Sequence, residues 1–183
     1  MANFNTDVNI IPDRGVSVSQ TPRILKAVYG DGYEQRVAAG INNLPESWNL
    51  TWNNRTANDG NKIIKFLEDH KGATAFDWYP PDSEISSSTT SSFDFKLIDT
   101  TQSFTNRLLG STIATSGGTA TISAIDSGTA LSLSSNLIPS STSAGLDYSI
   151  YPTKKYRCEK WNTSIPFLGY RTVTATFIRV FEP

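Results

Sequence analysis

The stretch Thr172-Val173-Thr174-Ala175-Thr176-Phe177 alternates strictly between polar and apolar residues. Successive side chains of an extended chain point to opposite faces, so Val173, Ala175 and Phe177 share one face and Thr172, Thr174 and Thr176 the other. Its β-branched content suits a strand. Outward from this segment the same period recurs. Ile24, Lys26 and Val28 alternate with Leu25, Ala27 and Tyr29, and Trp48, Leu50 and Trp52 share one face of a further short strand. One segment follows a different period: Ile63, Phe66, Leu67 and His70 fall at i, i+3, i+4 and i+7, the stripe of an amphipathic helix. Thr56 or Asn58 can cap its start by accepting a backbone N–H, and Lys71-Gly72 suits its end, with a cation and a residue free to turn left-handed. The body therefore reads as mainly β, a β-sandwich or barrel with one flanking α-helix.

Composition divides the chain. Ser83 to Ser149 holds 18 Ser and 11 Thr, and its charged residues are only Glu84, Asp94, Lys96, Asp99, Arg107, Asp126 and Asp147. The flanks hold all four tryptophans. Such a shift marks a boundary. Two readings compete, a disordered Ser/Thr linker and a small β module, and periodicity favours the module after about residue 92. Phe93, Phe95 and Leu97 alternate with polar residues, as do Ala120, Ile122 and Ala124, then Leu131 and Leu133, then Tyr148 and Ile150. Ser116-Gly117-Gly118 and Asp126-Ser127-Gly128 read as hairpin turns. Ser83–Ser92 reads as a disordered hinge of small polar residues. The expected domains are 1–82 with 152–183, and an inserted Ser/Thr-rich β module at 83–151.

The 183 residues carry a net charge of −1, and no run of Lys or Arg makes a phosphate-tracking patch. The start, Met1 to Asp7, lacks a basic, apolar leader, and no apolar run approaches the ~20 residues of a membrane helix. The expectation is a protein folded in the cytoplasm with no signal peptide and no membrane contact. Chemistry is equally sparse. One cysteine, Cys158, and one histidine, His70, cannot complete a closed zinc site or an internal disulfide. Cys158 shares a strand face with Tyr156 and reads as a small core hydrophobe; His70 reads as a partly packed helix-end residue. A Cys–His nucleophile pair needs the fold to bring the two together. No phosphate-binding glycine loop or calcium loop is present. No catalytic residue, cofactor or metal site is expected.

The segment Val28-Tyr29-Gly30-Asp31-Gly32-Tyr33-Glu34-Gln35-Arg36, followed by Ala39-Gly40-Ile41-Asn42, stands apart. Gly30-Asp31-Gly32 reads as a tight turn after a strand. Tyr33, Gln35 and Arg36 open the next strand, and the planar guanidinium of Arg36 suits a carboxylate. This segment resembles the "(F/Y)GDGYxQR…GIN" block of the phage minor tail protein family typified by lambda protein M. Four further blocks follow in order: Trp48-Asn49-Leu50-Thr51; Phe66-Leu67-Glu68-Asp69-His70-Lys71-Gly72-Ala73, similar to "FLxxHxGA"; Phe76-Asp77-Trp78-Tyr79-Pro80-Pro81, similar to "FxWxPP"; and Cys158 and Trp161 in a "CxxW" strand leading to Thr172–Phe181. Short members pass almost directly from the Pro-Pro element to the Cys-x-x-Trp strand. Here the Ser/Thr-rich module intervenes, and it is similar to small β modules of phage structural proteins.

The resemblance implies a distal tail protein with the tail-tube fold. Six copies would form a ring at the virion tail tip, around the channel that DNA crosses without being gripped. Its partners would be other copies of itself, the tail tube protein, tip hub proteins and the tape-measure protein. Gly30, Asp31, Gly32, Tyr33, Gln35 and Arg36 would shape a turn supporting the ring or its stacking contacts, or else stabilise only the monomer. Phe76, Trp78, Pro80, Pro81, Cys158 and Trp161 would be structural anchors, with the prolines directing the chain into the module. The module would sit at the ring's periphery. An alternative makes it a host-surface or glycan-binding element, although it lacks tryptophan and Phe93, Phe95, Phe104 and Tyr148 read as its core.

Overall fold

The structure, a computed structural model, describes residues 2–81, 83–137 and 144–181. The chain is mainly β with one long helix, and it divides into two compact units, 1–78 with 155–183 and 79–154. In chain order the first unit contributes α1 (Phe4–Asp7), β1 (Ser17–Gln20), β2 (Ile24–Val28), β3 (Glu34–Ala38), β4 (Glu46–Thr56), α2 (Ala57–His70) and β5 (Phe76–Trp78). The second contributes β6 (Ile85–Ser88), β7 (Ser91–Phe93), β8 (Lys96–Ile98), β9 (Thr112–Thr115), β10 (Gly118–Ser127), β11 (Ala130–Leu133) and β12 (Asp147–Tyr151). The chain then returns to the first unit with β13 (Lys154–Ser164) and β14 (Tyr170–Arg179).

The first unit's main sheet has the order β1-β4-β14-β13-β5. The alternation of Thr172 to Phe177 builds its inner face. Opposite residues share a face of a pleated sheet, and β14 sets Val173, Ala175 and Phe177 beside Trp52, Leu50 and Trp48 of β4. Phe177 is fully buried and packs edge-on against Phe4, Phe76 and Trp78. The helix covers this face with Ile63, Phe66 and Leu67. Thr56 is its cap: the hydroxyl oxygen accepts from the Asp59 amide at 3.2 Å. Both Lys71 (φ 50°) and Gly72 (φ 68°) turn left-handed at its end, where Gly72 lies against the Cys158 carbonyl.

Cys158 and Trp161, three positions apart, would fall on opposite faces of a regular strand. A bulge between Cys158 and Lys160 flips the alternation, so Cys158 pairs with Phe177 and Trp161 with Ala175, both inward. The bulge puts both ends of that motif on one core. Phe4, carried by the four-residue α1, sits at the centre of the same ring cluster, 5.7 Å from Trp52 and 5.2 Å from Phe66. Nothing in the periodicity of the first residues announced it.

The second unit is a seven-stranded sheet, β6-β12-β9-β10-β11-β8-β7, around Leu97, Ile113, Ile122, Leu131, Tyr148 and Ile150. Ser83–Ser92 is not a disordered hinge: β6 pairs with β12, and Ser86 shares a hydrogen bond with Ser149 at 2.8 Å. Phe93 to Leu97 is not one strand. Asp94 takes a positive φ of 48°, the chain turns, and Phe93 pairs back with Lys96. Phe93 and Phe95 are therefore exposed at a hairpin turn, while Phe104 and Tyr148 are buried. The turn expected at Asp126-Ser127-Gly128 falls slightly later, because β10 runs through Ser127 and pairs it with Ala130.

Candidate functional site

The Gly30–Arg36 block forms the end of a two-stranded hairpin, β2 with β3, that is a sheet of its own. Tyr29 donates its amide to the Tyr33 carbonyl at 2.9 Å, and Gly32 donates to the Tyr29 carbonyl at 3.2 Å. Gly32 holds φ 79°, the left-handed region where a side chain is strained. Register then assigns the two faces. Val28 opposes Glu34, Lys26 opposes Arg36, and Ile24 opposes Ala38 on one side; Leu25 opposes Val37 and Ala27 opposes Gln35 on the other.

The first face carries an ion-paired ladder. Glu34 accepts from both Lys26 and Arg36, the carboxylate partner that the Arg36 fork suits. Hydrogen bonds from Lys26 and then Arg36 lower the Glu34 pKa. The second face is apolar and aromatic: Leu25, Ala27, Tyr29, Tyr33 and Val37, with Gln35 tied to the Tyr29 hydroxyl at 3.2 Å. Every residue of both strands is exposed. Tyr33 is 77% accessible and Ile41, just beyond β3, 99%. A lone two-stranded hairpin is marginally stable in water, and contiguous exposed apolar surface marks a contact site. The turn was legible in the sequence and the apolar face was not, since alternation does not tell a half-buried strand from an uncovered one.

A second apolar group, also unanticipated, tops the β13–β14 connection. Ile165, Phe167 and Tyr170 are exposed and Leu168 is completely so. Tyr170 pairs with Thr56 at the far end of β4, whereas the hairpin leaves the sheet beside Glu46, at its near end.

The remaining residues singled out from sequence lie elsewhere. Phe76 and Trp78 are buried on β5, facing the same core as Cys158. Pro80 and Pro81 are half-buried at the start of the second unit, and the Pro80 carbonyl accepts the Ser83 hydroxyl. His70 stacks on Phe66 at 4.2 Å and engages the Phe66 carbonyl through Nδ1 at 2.7 Å. Burial pushes the Cys158 thiol up to about 11, and the thiol donates to the Lys160 carbonyl at 3.3 Å. That environment suits a packing residue rather than a nucleophile. Among the described residues no cluster of metal-ligating side chains occurs, and no helix is long and apolar enough to cross a membrane.

In the second unit, Asp99 is buried and accepts from Ser87, Thr101 and Tyr148. On the outer face of β6, β12 and β9 lies a shallow trough of about 410 Å³, lined by Ser86, Ser88, Asp147, Ser149 and Tyr151 among others.

Residues 7–107 match the family described as phage minor tail protein, a span holding the hairpin, α2 and the first strands of the second unit. The Cys158–Trp161 and Thr172–Phe181 blocks fall outside it. Tail tip protein M of Escherichia phage lambda is 34% identical over 67 residues, which are 37% of this chain and 61% of that protein. With more than half of its length matched, the chain belongs to the phage minor tail protein family.

Proposed function

We propose that this chain forms a closed ring in the virion tail tip, of six copies, joining the tail tube to the tip hub and lining the path of DNA. Family membership gives it a structural role in the virion tail; the ring, its copy number and the conduit go further. The observation that carries the reading is the exposed hairpin, whose apolar face is left uncovered by the described residues of its own unit. A ring formed head to tail joins two different patches on neighbouring copies and needs such a face. Gly30, Asp31 and Gly32 set the turn, and Tyr33, Gln35 and Arg36 order its two faces. The net charge of −1 suits a conduit, because a strongly basic lumen would hold phosphates through counterion release.

The neighbours in this arrangement are other copies, the tail tube protein, hub proteins and the tape-measure protein, with assembly in the host cytoplasm. The domain at 83–151 is an insertion into the ring-forming domain of 1–82 and 152–183. Imaging of purified tail tips tests the reading: a sixfold ring containing this chain supports it, and a single copy per tail, or none, removes it.

The trough beside Asp147 and Tyr151, with Phe93 and Phe95 exposed, favours a second reading in which the second unit contacts host-surface glycans. Hydroxyl groups and exposed rings are the surfaces sugars use. Deleting Ser83–Ser149 separates the two. Normal tails with impaired adsorption favour the glycan role; normal tails with unchanged adsorption argue against it.

A further inference from the structure

We infer that the apolar face of the hairpin in one copy covers the Ile165–Tyr170 loop of the neighbouring copy, so that a second copy of this chain is the partner of both surfaces. The inference rests on the ring reading and specifies its contact. Two apolar groups stand uncovered on the first unit, Leu25, Tyr29, Tyr33 and Val37 on the hairpin and Ile165, Phe167 and Leu168 on the loop. They leave the sheet at opposite ends of β4, one beside Glu46 and the other beside Thr56. The eleven residues of β4 separate those ends by roughly 30 Å at the rise of an extended chain. Leu168 is wholly accessible, so none of the described residues of its own unit covers it. Two different apolar patches that do not meet within one copy are the elements of a head-to-tail contact, which closes into a ring when the rotation allows.

The face offered to the neighbour is Leu25, Ala27, Tyr29, Tyr33 and Val37, with Ile41 just beyond β3, a compact apolar patch of the kind found at the centre of an interface. The opposite hairpin face, with Lys26 and Arg36 both paired to Glu34, keeps one net positive charge and stays hydrated at the rim.

The experiment uses complete phage particles carrying Tyr33→Cys and Leu168→Cys together, oxidised and then analysed under denaturing, non-reducing conditions. The native Cys158 is buried and does not compete. A ladder of linked copies that requires both new cysteines supports the contact. Particles with rings intact by imaging but no ladder overturn it while leaving the ring reading standing. Linkage of the Tyr33→Cys chain to a different tail protein also overturns it. Images showing one copy per tail remove the ring reading and this contact with it. Should the double variant fail to assemble, Leu168→Ser provides the second measurement. A completely exposed side chain contributes little to the fold of one copy, so wild-type thermal melting with at least a tenfold loss of incorporation into tails is expected. Incorporation equal to that of Ile11→Ser, an exposed control residue, overturns the contact.

Discussion

Tyr148 donates its phenolic proton to the Asp99 carboxylate at 2.7 Å, and both side chains are buried inside the second unit. Burial alone pulls the Asp99 pKa up. Hydrogen bonds from Thr101, Ser87 and Tyr148 outweigh it and hold the carboxyl at about 2, below its ordinary 3.8. A depressed carboxylate stabilises the fold above its unfolded pKa and loses that contribution as pH falls through the folded one. The second unit should therefore weaken between about pH 4 and pH 2. Tyr148→Phe removes one donor from a buried carboxylate and should cost about 1–3 kcal/mol at pH 7. Urea unfolding at pH 7 and pH 3 checks both, and Asp99→Asn should flatten the acid dependence.

Phe177 occupies the centre of the first unit's aromatic cluster. Its truncation, Phe177→Ala, leaves a cavity that rigid rings around it fill only in part, and a cost of about 3–5 kcal/mol is expected. Chemical denaturation followed by tryptophan fluorescence measures it, because Trp52 and Trp78 lie on the same core. A loss below about 1 kcal/mol would contradict the packing described.

Two adjacent residues at the end of α2 should respond in opposite directions. Lys71 holds φ 50° with a side chain attached, so Lys71→Gly is expected to stabilise by up to about 1 kcal/mol. Gly72 holds φ 68°, and an added Cβ would stand 3.1 Å from the Cys158 carbonyl oxygen. Gly72→Ala should therefore destabilise by about 1 kcal/mol or more. Thermal melts of the two variants should move apart from the wild type.

Cys158 should resist thiol reagents while the protein is folded. Burial raises its pKa to about 11, leaving about one thousandth of the thiol ionised at pH 8 even before access is considered. Mass spectrometry after brief alkylation should show an unmodified native chain and a single modification in denaturant. Rapid native labelling would contradict the placement.

The faces of β4 and β14, and the span and caps of α2, were legible in the sequence because period and capping chemistry are local properties. So was the Gly30–Arg36 turn, since Gly32 supplies a backbone conformation other residues disfavour. Phe4 was not, because four residues of helix carry no period. Trp161 joined the core only through a bulge, which no spacing rule announces. Phe93 and Phe95 read as one strand until the left-handed Asp94 folded them into an exposed turn.

The sequence by itself determined that the chain is mainly β, which residues of each strand share a face, and which segment tied it to phage tail proteins. Only the tertiary structure decided which faces are covered. Val173 and Leu25 sit in equally regular alternation, yet one is fully buried under α2 and the other is 65% exposed. The difference lies in what packs against the strand. Burial depends on partners distant in sequence, or on another copy of the chain, and periodicity carries no information about either.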